Sequence, residues 1–409
     1  SLTKKIVKGV VMTATKKILI STGEVSGDLI SSYLITALRE KDPSLEILAV
    51  GGTQVEKAGA RLIFNSYCIG AMGLVEAIPM FTTVLKLRRA VAQVVREEKI
   101  DLVVLVDCNG FNSGLAAKLK KKGVPTVCFI PPQDWVFGKV NRLMRTFIRC
   151  CHKIISIFPK EHEFYSSLGA RSVWLGHPLV DIVSHVPTRE QARHTLGYPL
   201  DAKVITLLPI SRQQEVQYIL PGVLATVALI QKQCPDAYFC LPVVRLDLMQ
   251  KIEAVLLQSG VQRVSIVQKS SHIAIAAADV VLSKSGTVNL ETALIGIPQV
   301  VFYRLNSVTF WIGKNILRMP KPHFISPVNL IAMQAVVPEF LQDQATPQVL
   351  AKAVLTILDE PRKAQQRFSQ GYALVRQQLG QPGVMKRVAD LVLTLLASTS
   401  PIDGKEGLL

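Results

Sequence analysis

The sequence predicts an α/β protein made of two doubly wound, parallel-sheet (Rossmann-like) domains, followed by C-terminal helices. Three observations carry that expectation. Short β-rich apolar runs alternate with longer helical stretches along most of the chain. The runs are continuously apolar, as strands covered on both faces must be, rather than alternating. Beyond about Pro347 the strand pattern stops, and only helical periodicity continues to about Ser398.

In chain order, the first half offers strands at Lys17 to Ser21, Glu46 to Val50, Asp101 to Asp107, Pro125 to Ile130, Lys153 to Phe158 and Val173 to Leu175. Helical patterns over Ser26 to Glu40, Phe81 to Glu98 and Ser113 to Lys122 lie between them. A polar stretch from His177 to Tyr198, with two prolines, reads as a loop-rich linker. The second half repeats the alternation with Val204 to Leu208, Ala237 to Val244, Val264 to Val267, Val280 to Ser283 and Gln299 to Tyr303. These readings divide the chain into an extension at 1–15, a first domain at 16–185, a second at 186–345 and terminal helices at 346–409. The helices are expected to pack back on the first domain or to exchange between protomers. Two doubly wound halves, a linker and a helical tail form the arrangement called GT-B in glycosyltransferases.

Composition narrows the class. The chain has 409 residues, 47 Lys plus Arg against 30 Asp plus Glu, and 49% hydrophobic residues. Its mean hydropathy of +0.32 is too high for dominant disorder. No run reaches the ~18 uncharged apolar residues of a spanning helix; Ile273 to Leu282, among the oiliest, is broken by Asp279. The lysines before Ile18 imitate a targeting segment, but the apolar residues there run into a glycine turn and read as a buried strand. Met12 is a plausible natural start. Seven cysteines, with Cys150 and Cys151 adjacent and no C-x-x-C pair, fit a reducing cytoplasm rather than a disulfide framework.

Ligands of open parallel sheets bind beyond the carboxyl ends of the strands, so the loops there are the candidates. The first is Ser21 to Asp28, where Gly23 and Gly27 admit close approach, Glu24 and Asp28 are acidic, and Ser26 is placed as an N-cap. An ordinary capped turn explains this loop equally well. The second holds Asp107 and Asn112, directly after a wholly apolar strand. A partly desolvated carboxylate there suits a general base, and helix capping is the competing explanation. The third, Ser285-Gly286-Thr287 with Glu291 one turn on, suits a diphosphate and the hydroxyls of a ribose. Arg212, after Ser211, stands where a guanidinium would neutralise a leaving diphosphate.

Taken together, these motifs resemble the lipid-A-disaccharide synthase family from Lys17 to about Asp343. The resemblance rests on GEVSGD (23–28), MGLVEAIP (72–79), VDCNGFN (106–112), PPQDWVFG (131–138), FPKEHEFY (158–165), GHPLVD (176–181), LPISRQQEV (208–216), SGTVNLE (285–291) and PVNLIAMQAVVPEFLQ (327–342), in that order. It implies an inverting glycosyltransferase that uses no metal or other cofactor. The reaction implied is transfer of 2,3-diacylglucosamine from UDP-2,3-diacylglucosamine to 2,3-diacylglucosamine 1-phosphate (lipid X), releasing UDP. It further implies Asp107 as base, Arg212 and the Ser285 to Glu291 turn on the UDP side, a functional Asn329, and a homodimer.

Three places depart from the family pattern. Asn109 and Gly110 replace a proline and a second acid, Ile210 replaces a glycine, and Asp134 and Gly138 alter the tryptophan region. They motivate an alternative, a divergent GT-B enzyme with another UDP-sugar or lipid acceptor. The net charge of +17 raises nucleic-acid binding as a different class, but no recognition motif is present and aromatics are only 6%. The charge is better used at an anionic membrane, which the enzyme would meet peripherally on the cytoplasmic face. Arg142, Arg145, Arg149 and Lys153 with Leu143, Phe147 and Ile148 form one candidate patch, and Phe310 to Lys321 a second.

Overall fold

The computed structural model describes residues 15–23, 25–65, 77–138, 140–210, 213–243, 246–268, 270–304 and 324–398. The chain forms two compact units, Ser1–Pro178 with Gly383–Leu409, and Leu179–Pro382.

The first unit contains β1 (Lys17–Ser21), β2 (Glu46–Gly51), β3 (Arg61–Asn65), β4 (Leu102–Val106), β5 (Thr126–Phe129), β6 (Lys153–Ser156) and β7 (Ser172–Trp174). They join in the order β3-β2-β1-β4-β5-β6-β7, with every pairing parallel. The centre is β4, whose side chains Leu102 to Val106 are each at most 1% exposed. Burying each of these Leu and Val side chains contributes roughly 1.5–3 kcal/mol, which is why the run is apolar without alternation.

In the second unit, β8 (Val204–Leu208), β9 (Tyr238–Pro242), β10 (Val264–Val267), β11 (Val280–Lys284), β12 (Gln299–Tyr303) and β13 (Glu339–Leu341) take the order β10-β9-β8-β11-β12-β13, again all parallel. In each sheet the chain works outward in one direction and then returns to the other side of its first strand. The reversals lie between β1 and β4 and between β8 and β11. Connections leave such neighbours on opposite faces, so crevices open at those strand ends. The loops after β1, β4 and β11 are those with the Gly-rich turn, Asp107 and Ser285.

Several local expectations need correction. The sequence reading omitted β3 and β13, both partly exposed along their length. The stretch read as a loop-rich linker contains helices Leu179–Ile182 and Arg189–Leu196. Thr188 caps the latter through the Gln191 amide, and the Gln191 side chain answers to the Thr188 N–H at 3.0 Å, a capping box legible in the sequence. Arg193 is fully buried there, donating to the carbonyls of Ala277, Pro199, Leu200 and Ala202 and to Asp279 at 2.8 Å. Asp279, the charge that interrupts an oily run, therefore closes an ion pair and also accepts from the Val204 N–H at 2.8 Å. The units divide at Pro178/Leu179, ahead of the boundary drawn at 185/186. Helices Pro347–Asp359 and Pro361–Leu379 stay with the second unit, while Val384–Ser398 belongs to the first.

Candidate functional site

In the first unit the loops after β1 and β4 are tied together by Asn112. Its Oδ1 accepts from Ser21 Oγ at 2.8 Å, and its Nδ2 donates to the carbonyls of Ser21 (3.1 Å), Val106 (3.3 Å) and Asp107 (2.7 Å). Asn112 is fully buried, so its amide positions Asp107 from behind. Asp107 and Cys108 take left-handed backbone with φ of 49° and 47°. Two successive non-glycine residues in that region store roughly 1–3 kcal/mol each, a strain found mostly at functional sites. The Asp107 N–H donates to the Phe129 carbonyl at 3.0 Å, and the residue is half-buried.

Gly27 has a steric reason. A Cβ there would overlap Thr22 Oγ1 and stand 3.7 Å from the Asp107 Cβ. The helix Val25–Lys41 thus presses its first turn against the base candidate. Gly23 is buried at the end of the loop, and Glu24 lies outside the described residues. Ser26 is inside the helix rather than at its N-cap, because the helix begins one residue earlier. Asp28 is 1% exposed and accepts from the N–H groups of Gly52 (2.7 Å), Gln54 (3.0 Å) and Val55 (3.4 Å). It heads the helix Thr53–Lys57, a task no sequence-local pattern announces.

Arg88 was missed by sequence reasoning. From the helix Ala77–Glu97 it donates to the carbonyls of Phe111 (3.0 Å) and Gly110 (2.5 Å), and its guanidinium lies 5.6 Å from the Phe111 ring centre. Burial lowers its pKa from the usual guanidinium value. A Cβ on Gly114 would meet this side chain, so the glycine makes room for it. Among the departures, Gly110 has nothing within 4 Å of an added Cβ, so the acid usual in the family would meet open space. Asp134 accepts from Asn141 Nδ2 at 2.6 Å, and Asn141 caps the helix Arg142–Cys150.

In the second unit, β11 turns through Ser285-Gly286-Thr287 into the helix Val288–Ile295. Asn289 supplies a knot like that of Asn112: its Oδ1 accepts from the Gly286 N–H at 2.8 Å and its Nδ2 donates to Ser283 Oγ at 2.7 Å. Ser285 donates its N–H to the Phe302 carbonyl (2.8 Å) and its hydroxyl to that of Ile325 (2.8 Å). Ser285 and the Gly286 amide, read from sequence as phosphate contacts, are therefore engaged in shaping the turn. Thr287 is exposed at its open end, where the first amides of a helix point outward. Glu291 lies one turn on and meets His272 Nε2 at 2.8 Å. Beside the turn, Lys284 pairs with Glu215, which links the helix Gln213–Tyr218 to the end of β11.

Asn329 is fully buried, with both ends of its amide satisfied: Oδ1 accepts from the N–H groups of Val336 (2.8 Å) and Val337 (2.9 Å), and Nδ2 donates to the Val337 carbonyl (2.9 Å) and to Glu339 (3.0 Å). It organises the loop whose Ile325 carbonyl receives Ser285. Ser211 and Arg212 fall outside the described residues. Ile210, just before them, is not among the left-handed residues, so its side chain does not strain the backbone where the family has glycine. Among the described residues no three His, Cys, Asp or Glu side chains converge as a metal site.

The helix Arg142–Cys150 keeps Arg142, Arg145 and Arg149 exposed while Met144 and Phe147 are fully buried. Phe147, assigned from sequence to an outer apolar edge, belongs to the core. The three arginines with Val140, Ile148 and Leu168 line an open groove of about 690 Å³. The second basic-apolar patch, Phe310 to Lys321, lies outside the described residues, as do residues 1–14 and 72–76. No described helix is long and apolar enough to cross a membrane.

Two parallel Rossmann-like units with chemically loaded loops at both chain reversals define the class, a protein of GT-B fold. The chain belongs to the lipid-A-disaccharide synthetase family, whose profile matches residues 18–393. The lipid-A-disaccharide synthase of Gloeothece citriformis is 39% identical over 383 residues, covering 92% of this chain and 99% of that protein. That of Syntrophotalea carbinolica is 35% identical over 394 residues, covering 96% and 97%. Among solved structures, UDP-GlcNAc 2-epimerase from Neisseria meningitidis bound to UDP-GlcNAc aligns with a TM-score of 0.66 at 11% identity, covering 92% of this chain and 100% of that one. The S. aureus MnaA-UDP structure aligns at 0.64 with 14% identity, covering 94% and 97%. These structural likenesses show the fold.

Proposed function

We propose that the protein transfers 2,3-diacylglucosamine from UDP-2,3-diacylglucosamine to the 6-hydroxyl of lipid X, forming a β-1,6 disaccharide and releasing UDP. The observation that carries this reading is the family match over nearly the whole chain, with its motif loops at the strand ends where the sheets reverse. Asp107 takes the proton as the acceptor oxygen attacks the anomeric carbon, and the bond to UDP breaks in one inverting displacement. Asn112 and the left-handed turn support this role by holding the Asp107 backbone. On the donor side, Thr287 and the start of its helix bind the diphosphate, Glu291 accepts from ribose hydroxyls, and Arg212 balances leaving-group charge. The displacement needs no metal on this reading. Asn112, Asn329 and Asp28 act through the loops they brace.

General-base catalysis is worth about 10²–10⁴ in rate, so Asp107→Asn lowers kcat by that order while UDP affinity stays put. Near-normal turnover would end the base assignment. The wild type should release UDP only when both acylated sugars are present; release with a non-acylated UDP-sugar would favour a divergent enzyme of the same fold.

The exposed arginine groove supports a peripheral position on the cytoplasmic face of an anionic membrane, where both substrates reside. A homodimer completes the reading, to be tested by light scattering.

A further inference from the structure

His272 has no place in the reading above, yet it makes the only side-chain bond to Glu291 among the described residues. It is the second residue of the helix Ser271–Ala277, with its N–H received by the capping Ser270 hydroxyl at 3.3 Å. Its ring meets Glu291 Oε2 at 2.8 Å, and both side chains are 15% exposed. A carboxylate has only acceptors to offer, so Nε2 carries the proton. Glu291 is a flexible side chain, and this bond selects one orientation of its carboxylate while leaving Oε1 to face another donor. The backbone of Glu291 follows that of the exposed Thr287 by one helical turn, about 5.4 Å of rise. That is the scale separating the 5′-phosphate of a ribose from its 2′,3′-diol.

We propose that His272 is a positioning residue for nucleotide recognition: it clamps Glu291 so that the free carboxylate oxygen accepts from the ribose diol of the donor. This rests on the donor-side reading of the Ser285 to Glu291 turn. It assigns a sugar-selecting task to a residue on a different helix from the turn. The clamp acts on the diol alone, because the phosphates are held at the other end of the turn. Its loss therefore removes discrimination at the ribose and leaves phosphate binding intact.

The test measures binding of UDP and of 2′,3′-dideoxy-UDP to the intact protein by calorimetry. In the wild type UDP should bind about tenfold more tightly than the dideoxy analogue, the difference one charge-assisted hydrogen bond confers. His272→Ala should lose most of that preference while binding the dideoxy analogue as the wild type does. His272→Gln, which keeps an N–H donor at similar reach, should restore part of it, and Glu291→Ala, which removes the acceptor, should abolish it. Equal weakening of both ligands by His272→Ala would mean a merely structural role and would overturn the proposal, as would unchanged discrimination. A wild type that binds neither nucleotide would instead refute the donor-side reading itself, an outcome separate from the other two.

Discussion

Gly27→Ala tests how tightly the first unit is built around Asp107. The new methyl would overlap Thr22 Oγ1, whereas its next neighbours, Thr22 Cβ at 3.5 Å and Asp107 Cβ at 3.7 Å, are at ordinary contact distance. Non-bonded atoms settle near 3.5 Å, so the hydroxyl or the helix must yield by about 1 Å. Thr22 is fully buried and its surroundings are packed. Overpacking of this kind costs about 1–3 kcal/mol, offset by the ~1 kcal/mol that alanine gains over glycine in a helix. The net expectation is a loss of about 0–2 kcal/mol, with a larger effect on turnover, because a small displacement of a catalytic group can cost ~10²-fold. Thr22 Oγ1 has no hydrogen-bond partner, so removing it sacrifices little. Thr22→Ala should therefore rescue Gly27→Ala, with a favourable coupling of about 1–2 kcal/mol in a double-mutant cycle. Thermal unfolding and UDP release measured on the four proteins provide the readout. A fully active, fully stable Gly27→Ala, or a double variant no better than the single one, would refute the packing argument.

Further tests concern charge. Replacing Arg142, Arg145 and Arg149 with Glu should reduce sedimentation with anionic liposomes by an order of magnitude or more, at about 1 kcal/mol per basic residue lost; unchanged sedimentation would exclude the groove as the contact. Burial pushes the Glu161 carboxyl up to about 8, against N–H donors from Ile157, Phe158 and Gln133. The folded chain then holds a proton that the unfolded chain releases, so stability should fall as pH rises toward about 8. His177, pushed down to about 3 by burial, acts in the opposite sense below its ordinary 6.5, which leaves the window from 6.5 to 8 for Glu161. Glu161→Gln should flatten the slope there, and an unaltered slope in urea unfolding would contradict the assignment.

The sheets were legible because each central strand is a run such as Leu102 to Val106, whose burial on both faces removes any need for polar residues. Two edge strands, Arg61–Asn65 and Glu339–Leu341, carry no such mark. Arg61–Asn65 is partly exposed throughout and mixes charge with apolar residues, so it passes for a loop. The helix at Arg189–Leu196 was overlooked for another reason: prolines and polar residues suggest a linker and outweigh the one local signal, the Thr188/Gln191 capping box, and Arg193 is unremarkable until its carbonyl partners close around it. At the strand ends, local chemistry singled out loops but not the structural task of each residue in them. Asp28 serves amides 24 or more residues ahead, and Asn112 reaches back 91 residues to Ser21. Partners that distant leave no pattern in a short window. Arg88 and His272 likewise belong to helices remote in sequence from the turns they hold.

The return of Val384–Ser398 to the first unit bears on how the chain is made. Val384, Met385, Val388, Ala389, Val392 and Leu396 are buried there, the helix lies against Val25–Lys41, and Lys41 pairs with Asp390 at 2.6 Å. The half that leaves the ribosome first must therefore wait for the last helix before its apolar surface is covered, while the second unit is already whole once residue 382 has emerged. Synthesis order and completion order are reversed. A chain cut after residue 382 would present a finished second unit joined to an unfinished first one that still exposes an oily flank to chaperones.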